Sequence, residues 1–211
     1  LPDLLFGGSV AFLAFIMLLC AGYLPRQQRG SWVSLCLIAL TTGTLIATYS
    51  SLPYIYYHEY GKILLLLFDT SMLVLFPALH YYVAQTFEER FVWFQKLGRW
   101  LAAYSAVCFA VMIAYKIVGE PLYLYYKLFT FWILAPVIFA LLLLIVALSV
   151  ASALKGNRNS LILSVAFLLL ALSGVADLIL FYVTDAKHLL YLWKFGIVIL
   201  IVALVIILAR R

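Results

Sequence analysis

Apolar residues along this chain neither alternate with polar ones nor recur every three or four positions against a charged background. They run on. Seven long apolar runs stand out, at about Leu4–Leu24, Trp32–Leu52, Lys62–Phe87, Trp100–Val118, Tyr123–Leu154, Leu161–Val183 and Leu189–Ala209. A helix needs about 20 apolar residues to cross the hydrocarbon layer, whereas a membrane barrel would show alternation over about ten. The pattern therefore predicts an all-α, polytopic membrane protein. Residues 1–211 read as a single seven-helix transmembrane bundle, with no connection longer than about a dozen residues.

Composition sharpens this picture. Apolar residues make up 68% of the 211 positions and charged residues 10%, against about a quarter charged in a soluble domain. The few charges are distributed unevenly. Arg26 and Arg29 follow the first run, Arg90, Lys96 and Arg99 the third, Lys155 and Arg158 the fifth, and Arg210 and Arg211 the seventh. The opposite side carries only Lys62, Lys116, Lys127, Lys187 and Lys194, offset in part by Asp3, Glu59, Glu120 and Asp185. Basic residues collect on the cytoplasmic side, so the N-terminus is expected outside and the C-terminus in the cytoplasm of a cell membrane. The net charge of +6 is then a matter of topology. A nucleic-acid partner would require a basic patch beyond the membrane ends, and none is expected. Cys20, Cys36 and Cys108 all fall within spans and lack the spacing of a metal site or disulfide framework, which makes them membrane-packing residues.

The start, "LPDLLFGGSV", has no basic flank of the kind a signal peptide carries. The end, "ALVIILARR", stops at a dibasic border. Both suggest the membrane core of a larger protein, with an exported domain before it. Any soluble catalytic or binding module is expected outside these boundaries, and the segment itself is not expected to be an enzyme.

Several local features invite two readings each. The outer side is rich in tyrosine, with Tyr54, Tyr56 and Tyr57 in "YSSLPYIYYHEYGK" and Tyr123, Tyr125 and Tyr126 in "EPLYLYYK". These form either an aromatic belt at headgroup level or a docking surface for an extracellular domain or ligand. On the inner side, "EERFVWFQKLGRW" spaces Phe91, Phe94 and Leu97 by three beside Arg90, Lys96 and Arg99. This predicts a short interfacial helix lying on the membrane, with contact to a cytoplasmic module as the alternative. Pro77 and Pro136 are expected to kink their helices. Small residues in "TTGT" (41–44) and "LSGVA" (172–176) suit close helix approach.

The costliest features are charges inside the runs. Asp177 and Lys194 lie nearly symmetrically about the "TDAK" turn at 184–187, which puts both about 10 Å below the outer end of the last hairpin. An unpaired Asp or Lys at the bilayer centre costs about 3 kcal/mol, so charges at depth usually face the bundle and pair. An ion pair or hydrogen-bonded pair is expected, either fixing helix register or repacking between signalling states. Asp69, at similar depth in the third run, is a candidate third member of this intramembrane charge cluster. His80 lies in the inner half of the same run.

Three functional classes meet these features. A retinal protein would have its lysine near mid-helix, whereas Lys194 is only about six residues into the seventh run. A metal-dependent membrane hydrolase would gather histidines at one depth, but His58 and His188 belong to outer loops and His80 to the inner half. A small-molecule transporter would show interrupted helices and a repeat, and no clear repeat is visible. No metal or cofactor is expected. The third class is a receptor core. The stretches "LFGGSVAFLAFIMLLCAGYLPRQQRGSW", "HYYVAQTFEERF", "LSGVADLIL" and "KFGIVILIVALVIILARR" resemble the seven-transmembrane domain of the bacterial receptors with diverse intracellular signalling modules, over essentially the whole chain. The resemblance implies that Asp177 is the recurrent acid of the sixth helix. It also implies an upstream jelly-roll-like sensor for carbohydrate-like ligands and a downstream histidine kinase, nucleotide or diguanylate cyclase, or phosphatase. The expected partners are thus membrane lipid, those two domains of the same polypeptide, and a second copy in a homodimer. Ile206–Ile207 departs from the Gln or Ser that many relatives carry there.

Overall fold

The computed structural model describes residues 2–49, 61–87, 92–184 and 192–210, and all the regular elements among them are helical. In order these are α1 (Pro2–Cys20), α2 (Arg26–Tyr49), α3 (Gly61–Thr86), α4 (Val92–Val118), α5 (Tyr123–Leu154), α6 (Arg158–Thr184) and α7 (Trp193–Ala209). In hydrocarbon no water can satisfy a backbone amide, so an apolar run closes its hydrogen bonds within itself and becomes a helix. Six of the helices are long and apolar enough to cross a membrane, as a multi-pass membrane protein requires. The described part of α7, 17 residues, reaches about 25 Å, a little short of the hydrocarbon thickness.

The chain divides into two compact units, Leu1–Leu144 and Ile145–Arg211. In the first, α1 packs on α2, α2 on α3, α3 on α4, and α4 on the start of α5. The least hydropathic spans, α2 and α3, are also the most buried. Lipid-facing surface must be apolar throughout, whereas helix–helix contacts accommodate small and hydroxylated residues. Accordingly Leu35, Cys36, Ile38, Leu45 and Ile46 of α2 are buried together with Thr41, Thr42 and Thr48. Within α2 the hydroxyls of Thr41, Thr44 and Thr48 donate to the carbonyls four residues back, at 2.7, 2.8 and 2.8 Å, which lets threonine sit in a membrane helix without an orphaned donor.

The α1–α2 contact is made backbone to backbone. A Cβ on Gly7 would lie 2.5 Å from Ala47 N and 2.6 Å from Gly43 O, and one on Gly43 would lie 2.6 Å from Ala11 N. Gly7 with Ala11, and Gly43 with Ala47, thus form two facing small-xxx-small pairs. "TTGT" was expected to serve close approach, and Gly43 is the residue that does so. The turn between the helices is pinned by Arg29, whose Nη2 donates to Gly22 O at 2.8 Å and to Leu24 O at 3.2 Å. Trp32 Nε1 adds a bond to Met17 O at 3.1 Å.

The interfacial helix expected over 88–100 is not a separate element. Residues from Val92 onward are the first two turns of α4, and Phe94 is buried between Phe87 and His80. Phe94 is thus a bundle-facing position of a longer helix, and the basic residues Lys96 and Arg99 beside it gave the segment an interfacial look. Phe91 and Arg90 lie outside the described residues. Near Pro136 the helix widens: Leu128–Leu134 forms a π-helical stretch between α-helical segments of α5. Proline removes a donor and collides with the carbonyl four residues earlier, and a locally wider turn accommodates both defects.

In the second unit, α5 ends at a turn where Gly156 has φ 92°. Only glycine adopts this left-handed conformation without strain. Asn157 then caps α6, its Oδ1 accepting from Asn159 N at 2.9 Å and Ser160 N at 3.1 Å. Helices α6 and α7 lie along each other. A Cβ on Gly196 would lie 2.2 Å from Ser173 Oγ and 2.9 Å from Leu170 Cα. In "LSGVA" the close approach therefore falls at Ser173, while a Cβ on Gly174 would meet nothing within 4 Å.

Candidate functional site

Charge enters the first unit where α3, α4 and α5 meet. Asp69 stands two turns into α3, and Lys116 of α4 brings Nζ to 3.9 Å from its Oδ2, with 15% and 25% of the two side chains exposed. Lys116 occupies the last turn of α4, where a cation is favoured by the helix dipole, and its long stem carries the ammonium toward the acid. Tyr126 of α5 is buried and lies close to the Asp69 carboxylate. Its ring stacks on Tyr115, with centroids 5.4 Å apart and planes at 12°. Tyr123 leans on the same ring at 5.6 Å, and Lys116 Nζ lies 5.3 Å from its centroid, within the range of a cation–π contact.

Asp177 lies in the second unit. Its Oδ1 accepts a hydrogen bond from the backbone N–H of Leu192 at 2.7 Å. Leu192 is the N-cap of α7 and offers no side-chain cap of its own, so a carboxylate from α6 supplies the missing acceptor. A negative group is favoured at that end by the helix dipole, whereas Lys194, in the first turn of α7, is disfavoured there. Asp177 therefore reaches the chain two residues before Lys194 and contributes negative charge to the turn that carries it. Lys194 is half-buried.

Of the expected docking tyrosines, Tyr123 and Tyr125 are exposed, 46% and 55%. Tyr126 is turned inward onto Asp69, and Tyr54, Tyr56 and Tyr57 lie outside the described residues. Among the described residues, no group of three or more His, Cys, Asp or Glu is gathered to hold a metal ion. No family model, curated protein or solved structure matches this chain.

Two features were not anticipated. Lys116 counts in the sequence only toward the charge of the outer side, yet it is the ion-pair partner of Asp69. At the opposite end of α3, His80 is almost completely buried, with Nε2 hydrogen-bonded to Phe94 O at 2.8 Å and its ring 4.1 Å from that of Phe94. A Cβ on Gly98 would lie 2.2 Å from His80 Cδ2, so glycine in α4 makes room for the imidazole. The sequence signal was an isolated histidine in an apolar run with a glycine on the following helix, too common a pairing to single out.

Proposed function

We propose that this chain is the seven-span transmembrane core of a bacterial receptor in the cytoplasmic membrane. Its N-terminus faces out and its C-terminus in, and it relays binding at an extracellular sensor domain to a cytoplasmic signalling module. The segment transmits and catalyses nothing itself; sensor and output belong to the same polypeptide, acting as a homodimer. The asymmetry of Lys and Arg between alternate connections supports the orientation. The resemblance in "LSGVADLIL" and the seventh-helix exit supports the receptor class.

The observation that carries the mechanism is the bond from Asp177 to the first turn of α7. In the proposal α7 moves relative to α6 between two arrangements, and this carboxylate holds one of them. A ligand shifts such an equilibrium only by its differential affinity for the two states. A hydrogen bond to a charged group contributes about 1.5–3 kcal/mol, so its loss is expected to move basal output about tenfold or more.

In the full-length protein, Asp177→Ala removes both bond and charge, Asp177→Asn keeps an acceptor for Leu192 but loses the charge, and Lys194→Ala removes the cation. Basal output of the signalling module, at equal membrane levels, is expected to shift most in Asp177→Ala and less in Asp177→Asn. Unchanged basal and stimulated output in Asp177→Ala and Lys194→Ala would remove the switch.

A further inference from the structure

A groove runs along the side of the first unit between α2, α3 and α4, and its two ends differ in chemistry. One limb, about 760 Å³, is lined almost wholly by apolar groups, among them Val33, Leu37, Leu73, Val74, Ala106 and Phe109. A second hollow of about 510 Å³ shares Pro77, Tyr81 and Ala102 with the first, which makes the two continuous, and is lined by His80, Gln85, Gln95 and Arg99. Arg29 stands at the same end of the apolar limb as Tyr81, since Gly30 faces the Tyr81 hydroxyl. Among the described residues, no Asp or Glu lines either hollow.

We infer that this groove binds one anionic phospholipid from the leaflet on the Arg29–Arg99 side, with a phosphate-bearing headgroup at the arginines and an acyl chain along the apolar limb. Charge complementarity selects the headgroup: Arg29 lines one hollow and Arg99 the continuous other, beside the amides of Gln85 and Gln95 and the Tyr81 phenol, and no carboxylate is among the described lining residues. Arginine matches phosphate oxygens with paired donors, and basic pockets between membrane helices on one side of the bilayer suit anionic headgroups. Arg29 is held in place by the Gly22 and Leu24 carbonyls through one nitrogen, and a guanidinium carries five N–H donors in all. Length selects the chain. Along α3 the lining runs from Tyr81 to Thr70, 11 residues or about 16 Å, close to half of the roughly 30 Å hydrocarbon core and therefore one leaflet deep. Ala78 on α3 and Ala102 and Ala106 on α4 keep the walls low enough for a chain to lie between the helices.

The test uses the full chain purified in mild detergent, exposed to phosphatidylglycerol or phosphatidylcholine and examined by native mass spectrometry. Phosphatidylglycerol is expected to be retained in preference to phosphatidylcholine with one tight site. Arg29→Gln with Arg99→Gln should weaken that site roughly 30-fold, the effect of two basic side chains at an anionic lipid surface. Ala106→Trp, which fills the apolar limb, should weaken retention of either lipid at this site. Arg99→Gln alone keeps the Arg29 turn bonds intact and should still lose several-fold, while Arg99→Lys should recover most of it. Equal retention of the two lipids, indifference to Arg99→Gln, or equally tight binding of soluble glycerol phosphate would each overturn the inference. None of these outcomes depends on the receptor reading.

Discussion

Replacing Gly43 by leucine is expected to detach α1 from α2 and to be the most damaging single change in the chain. The new Cβ alone would lie 2.6 Å from Ala11 N and 2.7 Å from Gly7 O, and both obstacles are backbone, which cannot rotate away. Overpacking a tight contact by one or two methylenes costs about 1–3 kcal/mol. Here three more carbons follow, so the helices must separate and forfeit the contacts along their shared face. A loss of about 4 kcal/mol or more is expected from overpacking together with lost packing. It is measurable as a lowered midpoint of reversible unfolding in mixed micelles and as protease sensitivity between Gly22 and Pro25. Gly7→Leu should do the same from the other side. Gly8→Leu is the control: a Cβ at Gly8 meets nothing within 4 Å, and that variant should fold like the parent. Equal tolerance of Gly43→Leu and Gly8→Leu would show that α1 and α2 do not meet at these glycines.

The second large effect is expected at Lys116. Lys116→Met keeps the apolar stem and removes the ammonium, leaving the Asp69 carboxylate, 15% exposed, beside Tyr126. Breaking a buried ion pair from one side costs about 3–5 kcal/mol. The 3.9 Å separation and the residual exposure of Lys116, 25%, place this pair at the low end, about 3 kcal/mol. Asp69→Leu combined with Lys116→Met should recover most of the loss, since two apolar side chains of similar size leave no charge stranded. The same unfolding assay reads both. A double variant as unstable as the sum of the single ones would mean that the two residues are not coupled.

The chain's helices were legible because lipid imposes length: run Lys62–Phe87 became Gly61–Thr86, and Tyr123–Leu154 was recovered as read. The start of α4 differs from the reading, since Phe91, Phe94 and Leu97 recur every three positions beside basic residues, as in an interfacial helix, and the sequence does not say which neighbour covers Phe94. At Asp177 the reading rested on counting across the last hairpin. It pointed to Lys194; the bond from the Leu192 amide was not foreseen, because backbone donors at a helix start are invisible in residue letters. The partner of Asp69 was missed for a related reason. Counted from the α3–α4 connection, Lys116 lies nearly two turns farther out than Asp69, and only a long, bent-back side chain closes that gap. Gly43 stood out within "TTGT", but its counterpart Gly7 sits in "FGGS" next to another glycine that faces away. Helix facing alone distinguishes the two.

Topology is the claim on which the rest depends. In a background without Cys20, Cys36 and Cys108, a single cysteine is placed at Lys155 or at Pro121, both exposed positions in connections. A membrane-impermeant maleimide applied to intact cells should label Pro121→Cys, and Lys155→Cys only after the membrane is opened. Labelling of Lys155→Cys in intact cells, with Pro121→Cys protected, would contradict an outward N-terminus and the helix order built upon it.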